Sequence, residues 1–269
     1  MSDSEFFARL AEEVSLQGKV ALATCVGVKG SGPSKLGRKM IVRPDGSFLG
    51  TIGGGPFEAL VIRDALEMIE NEEKSRLRSY DFFDTGKGES TPMICGGTAD
   101  VFLELLAARP LLYIAGGGHV GLALSRFGRE TGFDVMVADD RPEYLDPARY
   151  PAGTRTIRVE RDYRLPFPDS LAKREMYAAL VTRCWETDRA ALRHLLGSLN
   201  GLRLKYAGMI GSQRKVRRVL SDLESEGFPK EEIRKIRAPI GLPIGAITPE
   251  EIAISILAEM IAARNGAAK

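Results

Sequence analysis

Three glycine-rich turns carry the residues in this chain best suited to chemistry. They lie at Gly53-Gly54-Gly55, Cys95-Gly96-Gly97 and Gly116 to Gly121. Glycine lets the backbone approach an anion closely and adopt positive φ, so its N–H groups can point at phosphate oxygens, and a following helix adds its dipole. Because three such turns fall between residues 53 and 121, the sequence predicts a ligand that carries phosphate.

The third turn has the spacing of a dinucleotide-binding fingerprint. Gly116 would allow the tight turn, Gly118 would admit a pyrophosphate, and Gly121 would let the following helix pack closely on the strand. Asp139 closes the next predicted strand and could accept hydrogen bonds from ribose hydroxyls. Arg141 could instead favour a 2′-phosphate, so NAD, NADP and FAD all stay open as ligands.

Side chains beside the turns offer further contacts. His119 stands where a helix begins and could donate to a phosphate or only cap the turn. Cys95 lies in a glycine turn whose N–H groups could lower the pKa of its thiol, although a buried, inert cysteine fits the sequence equally well. Ser212 begins a predicted helix that also contains Arg214 and Lys215. This arrangement predicts either a second anion-binding site or only a basic helix face exposed to solvent.

Hydrophobic periodicity predicts the elements that must position these residues. From about residue 110 strands and helices alternate, which favours a parallel sheet with helices on both faces. We expect an α/β protein, with an α+β N-terminal domain at 1–107 followed by a Rossmann-like parallel-sheet domain at 110–269. Helices are predicted at 4–16, 56–71, 119–130, 187–197, 212–226 and 249–264, and strands at 19–26, 39–42, 47–52, 76–83, 99–105, 111–115, 134–138, 155–159, 177–182 and 205–209.

Composition excludes several classes of protein. The net charge of +2 comes from 38 basic and 36 acidic residues spread along the chain, so we expect no nucleic-acid partner. No apolar stretch reaches the roughly 18 residues of a membrane span, and the first residues have no cationic leader, which predicts a cytoplasmic protein with no membrane partner. Three cysteines and two histidines are too few for a disulfide framework or a histidine-rich metal centre.

Taken together, the motifs resemble the XdhC/CoxI family, the accessory proteins of xanthine dehydrogenase and related molybdenum hydroxylases. The residues that carry the resemblance are Gly50 to Glu58, Cys95 to Gly97, Gly116 to Gly121, Gly208 to Ser212, and Ala238 to Ala253. The resemblance implies a chaperone that binds molybdenum cofactor, in its mononucleotide or dinucleotide form. Such a chaperone assists the cofactor's sulfuration by a cysteine desulfurase and passes it to the apo-hydroxylase.

The resemblance also implies a site and an assembly. We expect the cofactor in a cleft between the two domains, with the thiol of Cys95 beside the metal, and we expect a homodimer. The cofactor-binding residues implied are Gly53, Gly54, Gly55, Cys95, Gly96, Gly97, Gly116, Gly118, His119, Gly121, Asp139 and Ser212. No catalytic residue is assigned, because the family role is a delivery rather than a reaction.

Some positions depart from the family pattern and leave alternatives open. Many members have Thr-His-Asp where this chain has Thr182-Arg183-Cys184, and a cysteine often found before Pro239 is Ala238. Cys95 is therefore the better candidate thiol. One alternative is an NAD(P)-dependent oxidoreductase, although the sequence offers no evident acid/base set. The other is an adaptor that docks the desulfurase or hydroxylase and binds no small ligand.

Overall fold

The computed structural model describes residues 2–31, 33–82, 97–164, 173–198 and 203–267. The chain divides into two compact units, at residues 1–108 and 109–269. Each unit contains one five-stranded sheet, antiparallel in the first and parallel in the second. The predicted α/β class, with a parallel-sheet C-terminal part, is confirmed.

The first unit is an antiparallel sheet covered by one helix on each face. Strand β1 alternates its side chains: Ala21 and Ala23 contact the cluster under one helix, and Val20 and Leu22 contact the cluster under the other. A strand covered on both faces is apolar throughout. The elements are α1 (Asp3–Gln17), β1 (Lys19–Gly30), β2 (Lys39–Val42), β3 (Phe48–Gly50), α2 (Gly55–Glu70), β4 (Ser75–Asp81) and β5 (Gly97–Ala107), with the strand order β3-β2-β1-β5-β4.

The second unit is a doubly wound sheet. Its elements are β6 (Leu111–Ala115), α3 (His119–Glu130), β7 (Asp134–Asp139), β8 (Arg155–Arg158), β9 (Glu175–Leu180), α4 (Trp185–Gly197), β10 (Arg203–Met209), α5 (Gln213–Ser225), α6 (Lys230–Arg234) and α7 (Pro249–Arg264). The strand order is β10-β9-β6-β7-β8, with all pairs parallel. This is the order of a Rossmann fold, in which the central strand β6 is covered on both faces. Helices α3 and α7 pack on one face, and α4 and α5 pack on the other.

The first strand is longer than predicted. The predicted strand at 19–26 ends at the glycine-rich sequence from Gly27, but β1 continues to Gly30 and pairs with β5 through a bulge between Cys25 and Gly27. A Cβ at Gly27 would lie 2.5 Å from Oδ2 of Asp100, so a larger residue there would force the Asp100 side chain to move. Pairing with a neighbouring strand therefore outweighs the low strand propensity of glycine.

Other predicted elements agree closely with the structure. The predicted elements at 39–42, 111–115, 119–130 and 249–264 span the same residues in the structure, and the short helix α6 was not predicted. Helix α7 begins with a capping box, in which Thr248 accepts from the Glu251 N–H and Glu251 accepts from the Thr248 N–H. None of the described helices is both long and apolar enough to cross a bilayer.

Candidate functional site

The parallel sheet of the second unit brings four loops to one edge. They are the segments 116–118 after β6, 139–141 at the end of β7, 182–184 after β9, and 210–212 after β10. The chain reverses its winding direction between β6 and β9, and ligands of doubly wound sheets bind at this switch point. Six of the predicted site residues lie at this edge: Gly116, Gly118, His119, Gly121, Asp139 and Ser212.

The glycines of the turn after β6, at residues 116–121, have different structural roles. A Cβ at Gly116, where φ is +112°, would lie 2.5 Å from the carbonyl oxygen of Val181, on the chain leaving β9. A Cβ at Gly121 would lie only 1.9 Å from the carbonyl oxygen of Gly116, so α3 can sit this close to the turn only with glycine. A Cβ at Gly118 would meet no heavy atom within 4 Å, and no side chain caps α3. Gly118 is therefore the position of this turn that a ligand can approach.

Asp139 is fully buried and bonded within the protein. Oδ2 accepts from the Gly117 N–H at 2.7 Å and from Nη2 of Arg141 at 3.0 Å, and Oδ1 accepts from the N–H and Nε of Arg141. Burial would raise the pKa of this carboxyl, but the bonds from Arg141 and Gly117 outweigh it and the pKa is lowered. Asp139 ties the glycine turn to the end of β7, and a ribose hydroxyl would have to displace one of these bonds.

Asp140 and Arg183 form an ion pair at the same edge. Nη1 of Arg183 donates to Oδ1 of Asp140 at 2.9 Å, and Nη2 donates to Oδ2 at 2.7 Å. The side chain of Arg183 is 33% exposed and that of Asp140 is 10% exposed. The sequence showed both residue types but not this pairing, because 43 positions separate them.

A buried polar network underlies the loop after β9. Asp188 is fully buried and accepts from the N–H of Thr182 at 3.0 Å, from its hydroxyl at 2.6 Å, and from the ammonium of Lys215. Burial raises the pKa of Asp188 against the effect of these donors. The thiol of Cys184, which is partly exposed, lies 3.2 Å from the hydroxyl of Thr187. The sequence did not predict this network. Its one local sign in the sequence is the position of Asp188 in the first turn of α4.

At the predicted second anion-binding site, at the start of α5, Ser212 and Lys215 both bond to other groups of the protein. Ser212 caps α5, and its hydroxyl accepts from the N–H of Lys215 at 3.4 Å. The ammonium of Lys215 is bonded to Asp188 and is not directed at a ligand. His119 is exposed as the first residue of α3, and its side chain has no bonding partner in the described parts of the chain.

In the first unit, the turn Gly53-Gly54-Gly55 lies at the start of α2, as predicted. All three glycines have positive φ, of +159°, +86° and +64°. No side chain caps the helix, and side chains placed at Gly54 and Gly55 would meet no heavy atom within 4 Å. Gly53 is different, because a Cβ there would lie 3.1 Å from the carbonyl carbon of Pro33. The loop before β2 therefore packs against this turn.

That loop contains a buried hydroxyl that sequence reasoning missed. Ser34 is 5% exposed, and its Oγ has no hydrogen-bond partner in the described residues. At its other side the loop meets Gly97, where a Cβ would lie 2.5 Å from the carbonyl oxygen of Ser31. Gly97 begins β5 and so is required by strand packing.

Cys95 and Gly96 lie outside the described residues, and so does the predicted contact of the Cys95 thiol with a metal. Among the residues that are described, no group of three or more His, Cys, Asp or Glu side chains could hold a metal ion. Of the other two cysteines, Cys25 is buried in β1 and Cys184 is partly exposed.

The sequence matches two known domain families. Residues 112–260 match the XdhC Rossmann domain, and residues 15–81 match the XdhC and CoxI family. The chain belongs to the XdhC and CoxI family. The first match covers all of the doubly wound sheet except its first residue, together with the glycine turn, and the second covers β1, β2, β3, α2 and β4 with the turn at 53–55.

Several proteins are similar to this XdhC/CoxI member. The uncharacterized Escherichia coli K12 protein YqeB is 35% identical over 92% of this chain and 44% of YqeB. A Bacillus subtilis protein, named as a probable subunit of xanthine dehydrogenase, is 28% identical over 62% of this chain and 47% of that protein. The chain thus spans about half the length of these two relatives. PaoD, a molybdenum cofactor insertion chaperone of E. coli K12, is 28% identical over 97% of this chain and 89% of PaoD.

A solved structure supports the fold. The Bacillus halodurans protein, whose crystal structure is described as that of a xanthine dehydrogenase, is 23% identical and superposes with a TM-score of 0.50. The likeness covers 99% of this chain and 96% of that chain. At this level of identity the likeness shows a shared fold.

Proposed function

We propose that this protein is an accessory chaperone that binds molybdenum cofactor for a xanthine dehydrogenase-type molybdenum hydroxylase. The observation that carries the proposal is the open turn at Gly118, at the switch point of a sheet that belongs to the XdhC Rossmann domain family. The likeness to PaoD over nearly all of both chains supports a role in cofactor insertion.

The chemistry of the cargo fits the described residues. Molybdopterin ends in a phosphate, or in a pyrophosphate when it is extended to a dinucleotide. The uncapped starts of α2 and α3 present N–H groups and a positive dipole end to an anion, and the glycines at 54, 55 and 118 leave space for it. The proposal keeps Gly53 to Gly55, Cys95 to Gly97, Gly116 to Gly121 and Ser212 as cofactor contacts, and gives Asp139 the role of holding the Gly117 N–H in the turn.

The finer steps are part of the same proposal. The chaperone assists sulfuration of the cofactor by a cysteine desulfurase, delivers it to the apo-hydroxylase in the cytoplasm, and acts as a homodimer. Exposed apolar side chains support a macromolecular contact, since Leu242, Ile244 and Ile247 precede α7 with exposures of 39%, 56% and 85%. Exposed apolar side chains close in sequence favour a protein–protein contact.

Retention of cofactor by the purified protein tests the proposal. We expect protein from a molybdenum-replete host to carry molybdenum and pterin in equal amounts, measured by mass spectrometry and by fluorescence of the oxidised pterin. Cys95→Ser should lose molybdenum, and Cys184→Ser, the control at the partly exposed thiol, should keep it. Loss with Cys184→Ser alone would contradict the assignment of Cys95.

A titration with NADH separates the proposal from the oxidoreductase alternative. Asp139 has no unused bond for a ribose hydroxyl, so we expect no tight binding of NADH, monitored by its fluorescence. Tight NADH binding without pterin binding would favour the oxidoreductase, and binding of neither ligand would favour the adaptor.

A further inference from the structure

The pair of Arg183 and Asp140 lies across the end of the central strand. Asp140 follows β7 and Arg183 follows β9, and both strands are direct neighbours of β6. The two parallel hydrogen bonds of 2.9 and 2.7 Å therefore join the loops on either side of the glycine turn. The switch point of the sheet, which is between β6 and β9, lies between these two loops.

A phosphate ligand at the switch point would meet both members of the pair. A ligand that extends along the carboxyl edge of the sheet from β7 toward β9 must pass the end of β6. The Asp140–Arg183 pair spans this same end of β6. The guanidinium would attract a phosphate and can bind it through two parallel hydrogen bonds, whereas the carboxylate would repel it. The two side chains thus have opposite effects on the same ligand.

Of the two adjacent acids, only Asp140 can exchange its partner readily. Asp139 is fully buried, and Arg141 and the Gly117 N–H already occupy both of its oxygens. The Asp140–Arg183 pair is less enclosed, since the side chain of Arg183 is 33% exposed and a ligand can reach it. A doubly charged phosphate attracts the guanidinium more strongly than the single charge of Asp140 does. Arg183 can therefore leave Asp140 for a doubly charged phosphate group.

We propose that Arg183 is a phosphate-binding residue of this edge, which Asp140 holds in the ligand-free protein and which a ligand phosphate takes over. This inference rests on the proposed function, because it assumes that the cargo brings its phosphate to the turn at Gly118. It names the residue by which this chain, with Arg183-Cys184 after β9, recognises that phosphate.

Binding of inorganic pyrophosphate tests the inference. Isothermal titration at about 0.1 M ionic strength, where the Debye length is about 10 Å, should give a dissociation constant for Asp140→Asn about fivefold lower than for the unmodified protein, because the competing carboxylate is gone. Arg183→Gln should raise the constant about tenfold or more. The double variant should bind about tenfold or more weakly than Asp140→Asn, because most of the gain from removing Asp140 comes from freeing Arg183.

Matched charge changes elsewhere provide the controls. Arg193 and Glu226 form an ion pair, and Glu226 follows the last residue of α5, about 20 Å along that helix from Ser212. Arg193→Gln and Glu226→Gln make the same changes in net charge as the test variants, and both should bind pyrophosphate within about twofold of the unmodified protein. Thermal unfolding of each variant verifies that it is folded.

Three results would overturn the inference: Asp140→Asn that binds no tighter, Arg183→Gln that binds equally well, or no pyrophosphate binding by any of the proteins. The proposed function is judged separately, by the molybdenum and pterin that the unmodified protein retains. Retained pterin with any of these three results sinks the role of Arg183 alone, whereas absence of pterin sinks the proposed function.

Discussion

The glycine turn of the first unit and that of the second both precede a helix, but their glycines meet different needs. At 53–55 all three residues have positive φ, and positions 54 and 55 are surrounded by open space. At 116–121 the need is close packing, because side chains at Gly116 and Gly121 would collide with backbone oxygens. Only Gly118 of the second turn is open and free of a positive φ.

This difference shows that a glycine-rich sequence alone does not identify a ligand-binding site. A glycine can be required by its own backbone angles, by a neighbouring chain segment, or by a ligand, and only the last requirement is functional. Substitution at single positions separates these requirements, and the expected effects range from loss of folding to loss of binding alone.

The largest effect is expected for Gly121→Ala. The added Cβ would lie 1.9 Å from the carbonyl oxygen of Gly116, so α3 must move away from the turn. We expect destabilisation of about 4 kcal/mol or more, measured by urea unfolding. Gly197→Ala is the control, since its Cβ would meet no atom within 4 Å, and it should not destabilise the protein. Equal stability of the two variants would refute the packing role of Gly121.

Asp139→Asn should cost about 3 kcal/mol, because it leaves the guanidinium of Arg141 without its buried counter-charge. The pKa of Asp139 is lowered in the folded protein, so its stabilising contribution is complete above the ordinary Asp pKa of about 4 and is lost as the pH falls through the lowered value. Urea unfolding at pH 7 and pH 3 measures this. A difference between the unmodified protein and the variant that stays constant with pH would contradict the assignment.

Gly55→Ala should have a moderate effect that comes from the backbone alone. Its φ of +64° is in the left-handed region, and open space surrounds the position, so we expect a cost of about 1 kcal/mol. Gly55→Asn should cost less, since asparagine tolerates this conformation better. If the two variants lose the same stability in urea unfolding, the backbone angle is not the cause.

Gly118→Ala should have the smallest effect on stability and a clear effect on ligand. Its φ is −64° and its surroundings are open, so we expect a change in stability within about 0.5 kcal/mol. The added methyl would occupy the space through which a phosphate approaches, and the retained pterin should fall about fivefold or more. Unchanged retention would show that the ligand does not approach this glycine.

The sequence predicted best what local patterns determine. The strand at 111–115 with its glycine turn, and the helix at 249–264, are encoded by neighbouring residues, and the structure has them at the predicted positions. The continuation of β1 through Gly30 was not predictable, because pairing with β5, distant in sequence, decides it.

The electrostatics of the candidate site depend on distant residues in the same way. An acid at the end of β7 was predicted, but its saturation by Arg141 and the Gly117 N–H follows from the folded shape of the loop. The pairs of Arg183 with Asp140 and of Lys215 with Asp188 join residues 43 and 27 positions apart. No local pattern in the sequence marks such partners. The sequence therefore predicted which residues lie at the carboxyl edge of the parallel sheet, but not which of their side chains pair with each other.

Transfer of cofactor tests the central claim most directly. The purified protein is mixed with an excess of apo molybdenum hydroxylase, the two are separated by size-exclusion chromatography, and the pterin and molybdenum in each fraction are measured. We expect both to leave the chaperone and appear in the hydroxylase fraction, together with hydroxylase activity. Pterin that never copurifies with this protein, or that stays with it in the presence of the apo-hydroxylase, would contradict the account.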